Sequence, residues 1–200
     1  MSKPTPTTVK RTVPLRKKNS ELRSREYLTS KEIDALTKVV RHGRNGHRDA
    51  TMILIGWRHA MRPGELVSIR WDQFDLEQGT FHVNRVKNGL PSVHPLSGAE
   101  IRALRKLKRE QPDSRYVFLS ERRGPMSVAG LQKMIARAGE RAGIPFKVHP
   151  HMLRHTAGYK LANDGQDTRA LQLYMGHRNI QNTTSYTQLS AKRFENFFED

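Results

Sequence analysis

The first helical pattern in the chain begins at a capping box. Thr29 and Glu32 have the spacing at which a threonine hydroxyl caps a helix and a glutamate reaches back to the cap. The apolar residues Ile33, Leu36 and Val39 follow at the spacing of one helical face. The sequence therefore predicts an amphipathic first helix that starts at this capping box.

A second apolar segment, residues 50–60, has the composition of a buried helix. Pro63 and Gly64 interrupt this segment, and a further helix restarts after them. Arg62 thus lies at a predicted junction between two helices, where the backbone can aim its side chain. We expect the nearby Glu65 to brace an arginine.

Two short strands are predicted where the pattern changes, in residues 80–86 and 92–96. The turn formers between them are Asn88, Gly89 and Pro91. Lys87 therefore lies at the edge of a predicted hairpin. Residues 115–119 predict a third strand.

The other long segments have helical patterns. Residues 97–110 predict an amphipathic helix, and another helix is closed by Gly143. The rest of the chain is predicted to be helical, with breaks at Gly165, Gly176 and around Ser190. The expected fold is mainly α with a small antiparallel β-sheet of about three strands, an α+β fold.

A strong positive charge points to a polyanionic partner. Lysine and arginine total 36 against 19 acidic residues, so the net charge is +17. Such a field attracts nucleic acid, although a basic but unspecialised surface remains an alternative. Residues 1–26 are rich in Pro, Thr, Ser, Lys and Arg, which predicts a flexible basic arm. This arm is either a solubilising tail or a segment that wraps DNA.

Cysteine is absent, which excludes disulfides and thiolate metal sites and is compatible with a reducing compartment. No apolar run is long enough for a transmembrane helix, and the first residues lack the apolar segment of a signal peptide. We expect a cytoplasmic protein that neither spans a membrane nor is secreted.

The residues that can carry chemistry are concentrated near the C-terminus. On a helix His151 and Arg154 share a face, so both can point at one phosphate. Arg154 offers a fork of donors to two nonbridging oxygens, and His151 can exchange a proton nearby. His177 and Tyr186 follow, and a phenol attacks at neutral pH only with help from positive charge and a base. This combination suits a site that binds a phosphodiester and attacks it.

The histidines of this region do not have the pattern of a metal site. His149, His151, His155 and His177 are accompanied by an arginine rather than by cysteine or carboxylate ligands. We therefore expect no metal ion and no cofactor. A structural hydrogen bond and support for His151 are both open as roles for His155.

A set of residues resembles, in its order along the chain, the active-site set of the tyrosine site-specific recombinases (phage integrase family): Arg62, Lys87, His151, Arg154, His177 and Tyr186. The resemblance extends from about Tyr27 to the end. Segments 149–155 and 175–180, with the short length, make the chain most similar to single-domain fimbrial phase-switch recombinases. The resemblance implies a catalytic domain of that fold in residues 27–200.

The resemblance also implies an activity and an assembly. The activity is inversion, integration or excision of double-stranded DNA, as in phase variation, through a 3′-phosphotyrosyl bond to Tyr186. Lys87 would protonate the leaving 5′ oxygen. The implied assembly is a homotetramer on two DNA sites, formed in the nucleoid from monomers or weak oligomers and helped by DNA-bending accessory proteins. A helix at about residues 190–199 would dock on a neighbouring subunit.

Two alternative functions remain open. A type IB topoisomerase-like relaxase uses a similar set of residues but works as a monomer. A noncatalytic DNA-binding regulator would retain the fold without the reaction. Recombination between two sites distinguishes a recombinase from the relaxase. Covalent trapping on DNA distinguishes it from the noncatalytic regulator.

Overall fold

The computed structural model describes residues 25–85 and 89–187. Lys87, residues 1–24 of the predicted arm and the predicted helix at 190–199 lie outside these residues. The helices are α1 (Ser30–Arg41), α2 (Gly46–Arg58), α3 (Pro63–Val67), α4 (Gly98–Glu110), α5 (Val128–Arg141), α6 (Pro150–Asn163), α7 (Thr168–Met175) and α8 (Gln181–Thr187). The strands are β1 (Phe74–Asp75), β2 (Thr80–Val83) and β3 (Ser92–Pro95), and a 3₁₀ turn (Trp71–Gln73) precedes β1.

Local signals begin and end several helices as predicted. The Thr29 side chain caps α1 and the Glu32 carboxylate reaches back to the Thr29 backbone N–H, so the capping box is formed. Pro63 is the first residue of α3 rather than an interruption before it, and Arg62 is the cap. Gly143 and Gly176 take positive φ values after α5 and α7, a conformation in which glycine has no steric penalty.

The sheet has three antiparallel strands in the order β1-β2-β3, so the predicted fold class is confirmed. The prediction of a third strand in residues 115–119 is wrong, because β1 is the third strand. Residues 115–119 form only isolated bridges, from Tyr116 to Arg70 and from Leu119 to Pro125. Val117 and Phe118 are buried there, so their apolar character reflects burial in the core rather than sheet pairing.

The main core surrounds α2, which packs against α1, α4 and α6. Met52, Ile53 and Ile55 on this helix have no exposed surface. A second, smaller cluster lies where α6, α7 and α8 meet, and consists of Ala60, Ala157, Ala162, Leu171, Met175 and Tyr186. The candidate nucleophile is therefore part of a packed cluster.

Two residues of the predicted arm are described, and both contact the folded region. Arg25 forms an ion pair with Glu32 at the start of α1. Glu26 lies 3.3 Å from His149 at the start of α6. Within the described part of the chain, no helix is both long and apolar enough to cross a membrane.

A close contact in the core predicts a difference between two glycines. A Cβ at Gly139 in α5 would lie 2.5 Å from Val148 Cγ2, whereas a Cβ at Gly64 in α3 would meet nothing within 4 Å. Gly139→Ala should lower the free energy of unfolding by about 1–3 kcal/mol through overpacking. Gly64→Ala should leave it unchanged or raise it by less than about 1 kcal/mol. Urea unfolding measures both, and equal effects would contradict the packing described here.

Candidate active site

The junction between α2 and α3 aims Arg62. The Glu65 carboxylate accepts from the Arg62 backbone N–H at 2.9 Å and from the Arg62 guanidinium at 2.8 Å. Glu65 is buried and braces an arginine, as predicted. Burial alone would raise the pKa of Glu65, but the Arg62 hydrogen bonds and the charges of Arg85 and Arg62 hold it below its ordinary value. Glu65 is therefore ionised at neutral pH.

Arg154 lies on α6 and is almost fully buried. Its guanidinium donates to the carbonyl of Ala60, and through Nη2 to the carbonyl of Met175 at 2.7 Å. Burial and the nearby charges of Arg62 and Arg85 lower the pKa of Arg154 to about 9, so it remains charged at pH 7. The buried location strengthens the interaction of this charge with any anion that reaches it.

Tyr186 lies on α8 and packs against α6. A Cβ at Gly158 would lie 2.9 Å from two atoms of the Tyr186 ring, so the ring occupies space that only glycine leaves open. Tyr159 meets the same ring edge to face. Only 4% of Tyr186 is exposed, and this burial raises the pKa of the phenol to about 12 despite the charges of Arg154 and Arg62. The phenol is therefore protonated in the free protein.

The hydrogen-bond partner of the phenol is His155, at 2.9 Å from Nδ1 to the Tyr186 hydroxyl. Burial and the neighbouring His151 lower the pKa of His155 to about 4. His155 is therefore neutral at pH 7, and its Nδ1 can accept the phenol proton. The hydrogen bond of His155 is thus with the candidate nucleophile itself.

His177 directly follows Gly176, which ends α7 in the left-handed conformation. Its Nδ1 lies 2.8 Å from the Thr183 hydroxyl, and its ring is nearly parallel to that of Tyr186 with the centroids 6.4 Å apart. Burial and the charge of Arg154 lower the pKa of His177 to about 4. His177 is thus a neutral side chain held between α7 and α8.

The structure brings most of the predicted site residues together. The charges of Arg62 and Arg154 lower the pKa values of both His177 and Tyr186. The four side chains therefore lie near one another. His151 is exposed on the same helix as Arg154, and loss of hydration together with the charges of Arg154 and Arg62 lowers its pKa. Lys87 lies outside the described residues.

Sequence reasoning missed Arg85, which follows β2. Its side chain has no exposed surface and donates to the Glu65 carboxylate at 3.0 Å, as well as to backbone carbonyls. A signal for it is present in the sequence. Phe81 and Val83 are buried on one face of β2, and the period of two places Arg85 in line with them.

Sequence reasoning also missed a series of hydrogen-bonded polar side chains, most of them buried. His59 Nε2 lies 2.9 Å from the Glu100 carboxylate, and its Nδ1 lies 3.0 Å from His94 Nδ1. His94 in turn contacts the Ser92 hydroxyl at 2.8 Å and stacks on Tyr174. These hydrogen bonds connect the end of α2 and the start of α4 to β3, the strand that follows Lys87 in the sequence. Among residues 25–85 and 89–187, no group of three or more His, Cys, Asp or Glu side chains could hold a metal ion.

Comparison with known proteins identifies the class. The phage integrase family matches residues 26–193. The chain belongs to this family and is a tyrosine recombinase, as the resemblance in the sequence predicted.

Particular relatives cover most of the chain. The chain is 40% identical over 181 residues to the type 1 fimbriae regulatory protein FimE of Escherichia coli K12. The aligned region covers 88% of this chain and 91% of the relative. The identity to the regulatory protein FimB of the same strain is 36% over 183 residues, covering 89% of this chain and 92% of the relative.

Solved structures confirm the fold. The crystal structure of XerA recombinase matches with a TM-score of 0.73 at 26% identity, and covers 84% of this chain. The match spans 62% of the length of that XerA chain. XerH recombinase bound to its difH substrate has the same fold, with a TM-score of 0.70 at 20% identity, covering 82% of this chain and 50% of that one.

The neutral histidines predict that stability falls in acid. Burial lowers the pKa of His94 to about 3, and those of His155 and His177 are about 4. Below pH 6.5 the unfolded chain binds protons that the folded protein does not, so stability present above that pH is lost as the pH falls. Because His94 stays neutral in the folded protein, the free energy of unfolding should be about 2 kcal/mol lower at pH 5 than at pH 7. Urea unfolding at pH 7 and pH 5 measures the loss, and His94→Asn should reduce it. An unchanged pH dependence in the variant would contradict this assignment.

Proposed function

We propose that this chain recombines double-stranded DNA at specific sites by cutting and rejoining strands through Tyr186. The observation that carries the proposal is that two arginines, Arg62 and Arg154, lie near enough to the Tyr186 phenol for their charges to favour its ionised form. Membership of the tyrosine recombinases supports the reaction, and XerH, which has the same fold, is a site-specific recombinase solved with its difH substrate. The net charge of +17 suits a DNA partner.

The two arginines and His177 stabilise the negative charge that grows on the nonbridging oxygens of the phosphate during attack. Two of the five N–H donors of Arg154 bind carbonyls, and these bonds fix the plane of the guanidinium. The other donors face the anion in our proposal. Donors fixed before reaction need no reorganisation when the charge develops, which makes this kind of stabilisation effective.

The phenol proton passes first to His155. The 2.9 Å hydrogen bond provides the geometry, and the lowered pKa of His155 keeps its acceptor available at pH 7. His151, exposed beside Arg154, is the group that contacts the phosphate or exchanges a proton with it. The sequence predicted proton exchange by His151 and left the role of His155 open between a structural hydrogen bond and support for His151.

Lys87 protonates the leaving 5′ oxygen. It belongs to the segment between β2 and β3, and both strands contact the elements that carry the site: Arg85 after β2 bonds to Glu65, and His94 on β3 stacks on Tyr174. In our proposal four copies on two sites exchange strands in sequence, with inversion, integration or excision as the outcome. DNA-bending proteins and the docking of residues 190–199 on a neighbour complete this assembly.

The first test is covalent capture from a library of randomised, nicked duplexes. Wild-type protein should retain DNA after denaturation, because the short strand beyond the nick is lost on cleavage and the link cannot be reversed. Tyr186→Phe should retain none, and Tyr116→Phe, a control at another tyrosine of the chain, should behave as the wild type. Mass spectrometry of the adduct should find DNA on Tyr186.

The recovered duplex also separates the alternatives. Two copies on one plasmid should give rearranged products with the wild type, whereas a monomeric relaxase would only remove supercoils. An adduct on another tyrosine would contradict the nucleophile assignment. The absence of any adduct would favour a noncatalytic regulator.

The second test compares the two histidines of α6. His155→Asn should slow single-turnover cleavage by about 10²–10⁴-fold at pH 7, because the phenol loses its proton acceptor. Its rate should rise with pH towards the phenol pKa of about 12. His151→Asn should slow cleavage without this pH dependence. The reverse pattern, with the pH-dependent defect at His151, would show that His151 takes the proton.

A further inference from the structure

Arg85 lies at a place where four parts of the fold meet. Its Nη2 donates to the His59 carbonyl at 3.2 Å and to the Tyr174 carbonyl at 2.6 Å. Its Nη1 donates to the Ala60 carbonyl at 3.3 Å and to the Glu65 carboxylate at 3.0 Å. One side chain thus joins the end of β2 to the α2–α3 junction, to α3 and to the end of α7.

Arg85 does not itself touch DNA, because its side chain is completely buried. Burial lowers its pKa, and the charge of Glu65 opposes that effect. Its Nε is buried without a hydrogen-bond partner in the described residues, which is energetically unfavourable. A role in shaping the site is therefore a better explanation of Arg85 than a role in binding substrate.

The partners of Arg85 are also the supports of the proposed catalytic groups. Glu65 holds Arg62, and the Ala60 carbonyl accepts from Arg154. A Cβ at Gly176, next to His177, would lie 2.6 Å from Arg85 Cγ, so the backbone there packs directly on the arginine. Along the chain, Arg85 is two residues before Lys87.

We propose that Arg85 is a positioning residue: it ties the end of β2 to the supports of Arg62, Arg154 and His177, and so aligns proton donation to the leaving oxygen by Lys87, two residues further along the chain. This inference rests on the proposed function, in which Lys87 is the general acid.

Cleavage leaves an oxygen that needs a proton. The Tyr186 oxygen forms a bond to phosphorus, the bond from phosphorus to the 5′ oxygen breaks, and its electron pair stays on that oxygen. The oxygen takes a proton from the Lys87 ammonium, and religation reverses each transfer. A bridging 5′ sulfur leaves as a thiolate, whose conjugate acid has a pKa of about 8.5, so it needs no proton from an acid.

The experiment measures single-turnover adduct formation on the duplex recovered by covalent capture, made with oxygen or with sulfur at the bridging 5′ position. Arg85→Met should slow cleavage of the oxygen substrate by about 10²-fold, which is the rate loss expected when a general acid is misaligned. It should react within a few fold of wild type on the sulfur substrate. Lys87→Met should show the same pattern, and Arg85→Lys a smaller defect with the same rescue.

Arg48→Met is the matched structural control. Arg48 is also nearly buried, pairs with Asp49 and donates to the Leu119 carbonyl, away from the candidate active site. Its loss should lower stability but should not alter the ratio of the sulfur rate to the oxygen rate. Glu65 keeps Arg62 as a partner in Arg85→Met, so that variant leaves no unpaired buried carboxylate. If Arg85→Met fails to fold, Arg85→Lys decides the question.

The outcomes are distinguishable. Equal slowing of both substrates by the Arg85 variants, or a wild-type rate on oxygen, overturns the inference while the proposed function stands. If sulfur fails to rescue Lys87→Met, the role of Lys87 fails and this inference fails with it. If wild-type protein forms no adduct on either substrate, the proposed function itself is wrong.

Discussion

The candidate active site depends on one buried carboxylate. Glu65 forms ion pairs with Arg62 and Arg85, and the third guanidinium, on Arg154, lies close enough for the other two to lower its pKa. Three like charges in a poorly solvated region repel one another strongly. Glu65 removes part of that repulsion, and the carbonyls that accept from Arg85 and Arg154 hold the remaining charge in fixed directions. A phosphodiester that enters the site completes the neutralisation.

The backbone at Ala60 contributes to the same arrangement. Ala60 has a φ of 49°, in the left-handed region where a residue with a Cβ is strained. Its carbonyl accepts from both Arg154 and Arg85. The two hydrogen bonds offset the strain and tie α6 and the hairpin to the junction that carries Arg62. Residues from distant parts of the chain thus share a single acceptor.

The same positive charge does not make the tyrosine reactive in the free protein. Arg154 and Arg62 favour the phenolate of Tyr186, but burial opposes it more strongly and the phenol pKa is raised to about 12. The hydroxyl is therefore held protonated against His155. In our proposal, reactivity follows only when DNA brings the phosphodiester into the site, which protects the free protein from unwanted reactions of its nucleophile.

The sequence predicted the elements whose signals are local. The capping box of α1, the Gly143 and Gly176 helix ends and the hairpin of β2 and β3 all follow from neighbouring residues. The strand predicted in residues 115–119 is absent because an apolar run has the same pattern in a strand and in an irregular buried segment.

In the active site, too, sequence-local signals were predictable and long-range contacts were not. The His151 and Arg154 spacing was recognisable, but which histidine faces the nucleophile is set by how α8 packs on α6, and His155 has that contact. Arg85 was missed because its partners Glu65 and Tyr174 are remote in sequence, although its register with Phe81 and Val83 was a readable signal.

The most direct test of this arrangement is a crystal structure of the protein bound to the DNA duplex recovered by covalent capture, with Tyr186→Phe used to prevent cleavage. We predict that Arg62, Arg154 and His177 contact the same phosphate, while Glu65 keeps its bonds to Arg62 and Arg85. A phosphate bound elsewhere on the surface, or a Glu65 that has lost both arginines, would contradict the central role of this buried carboxylate.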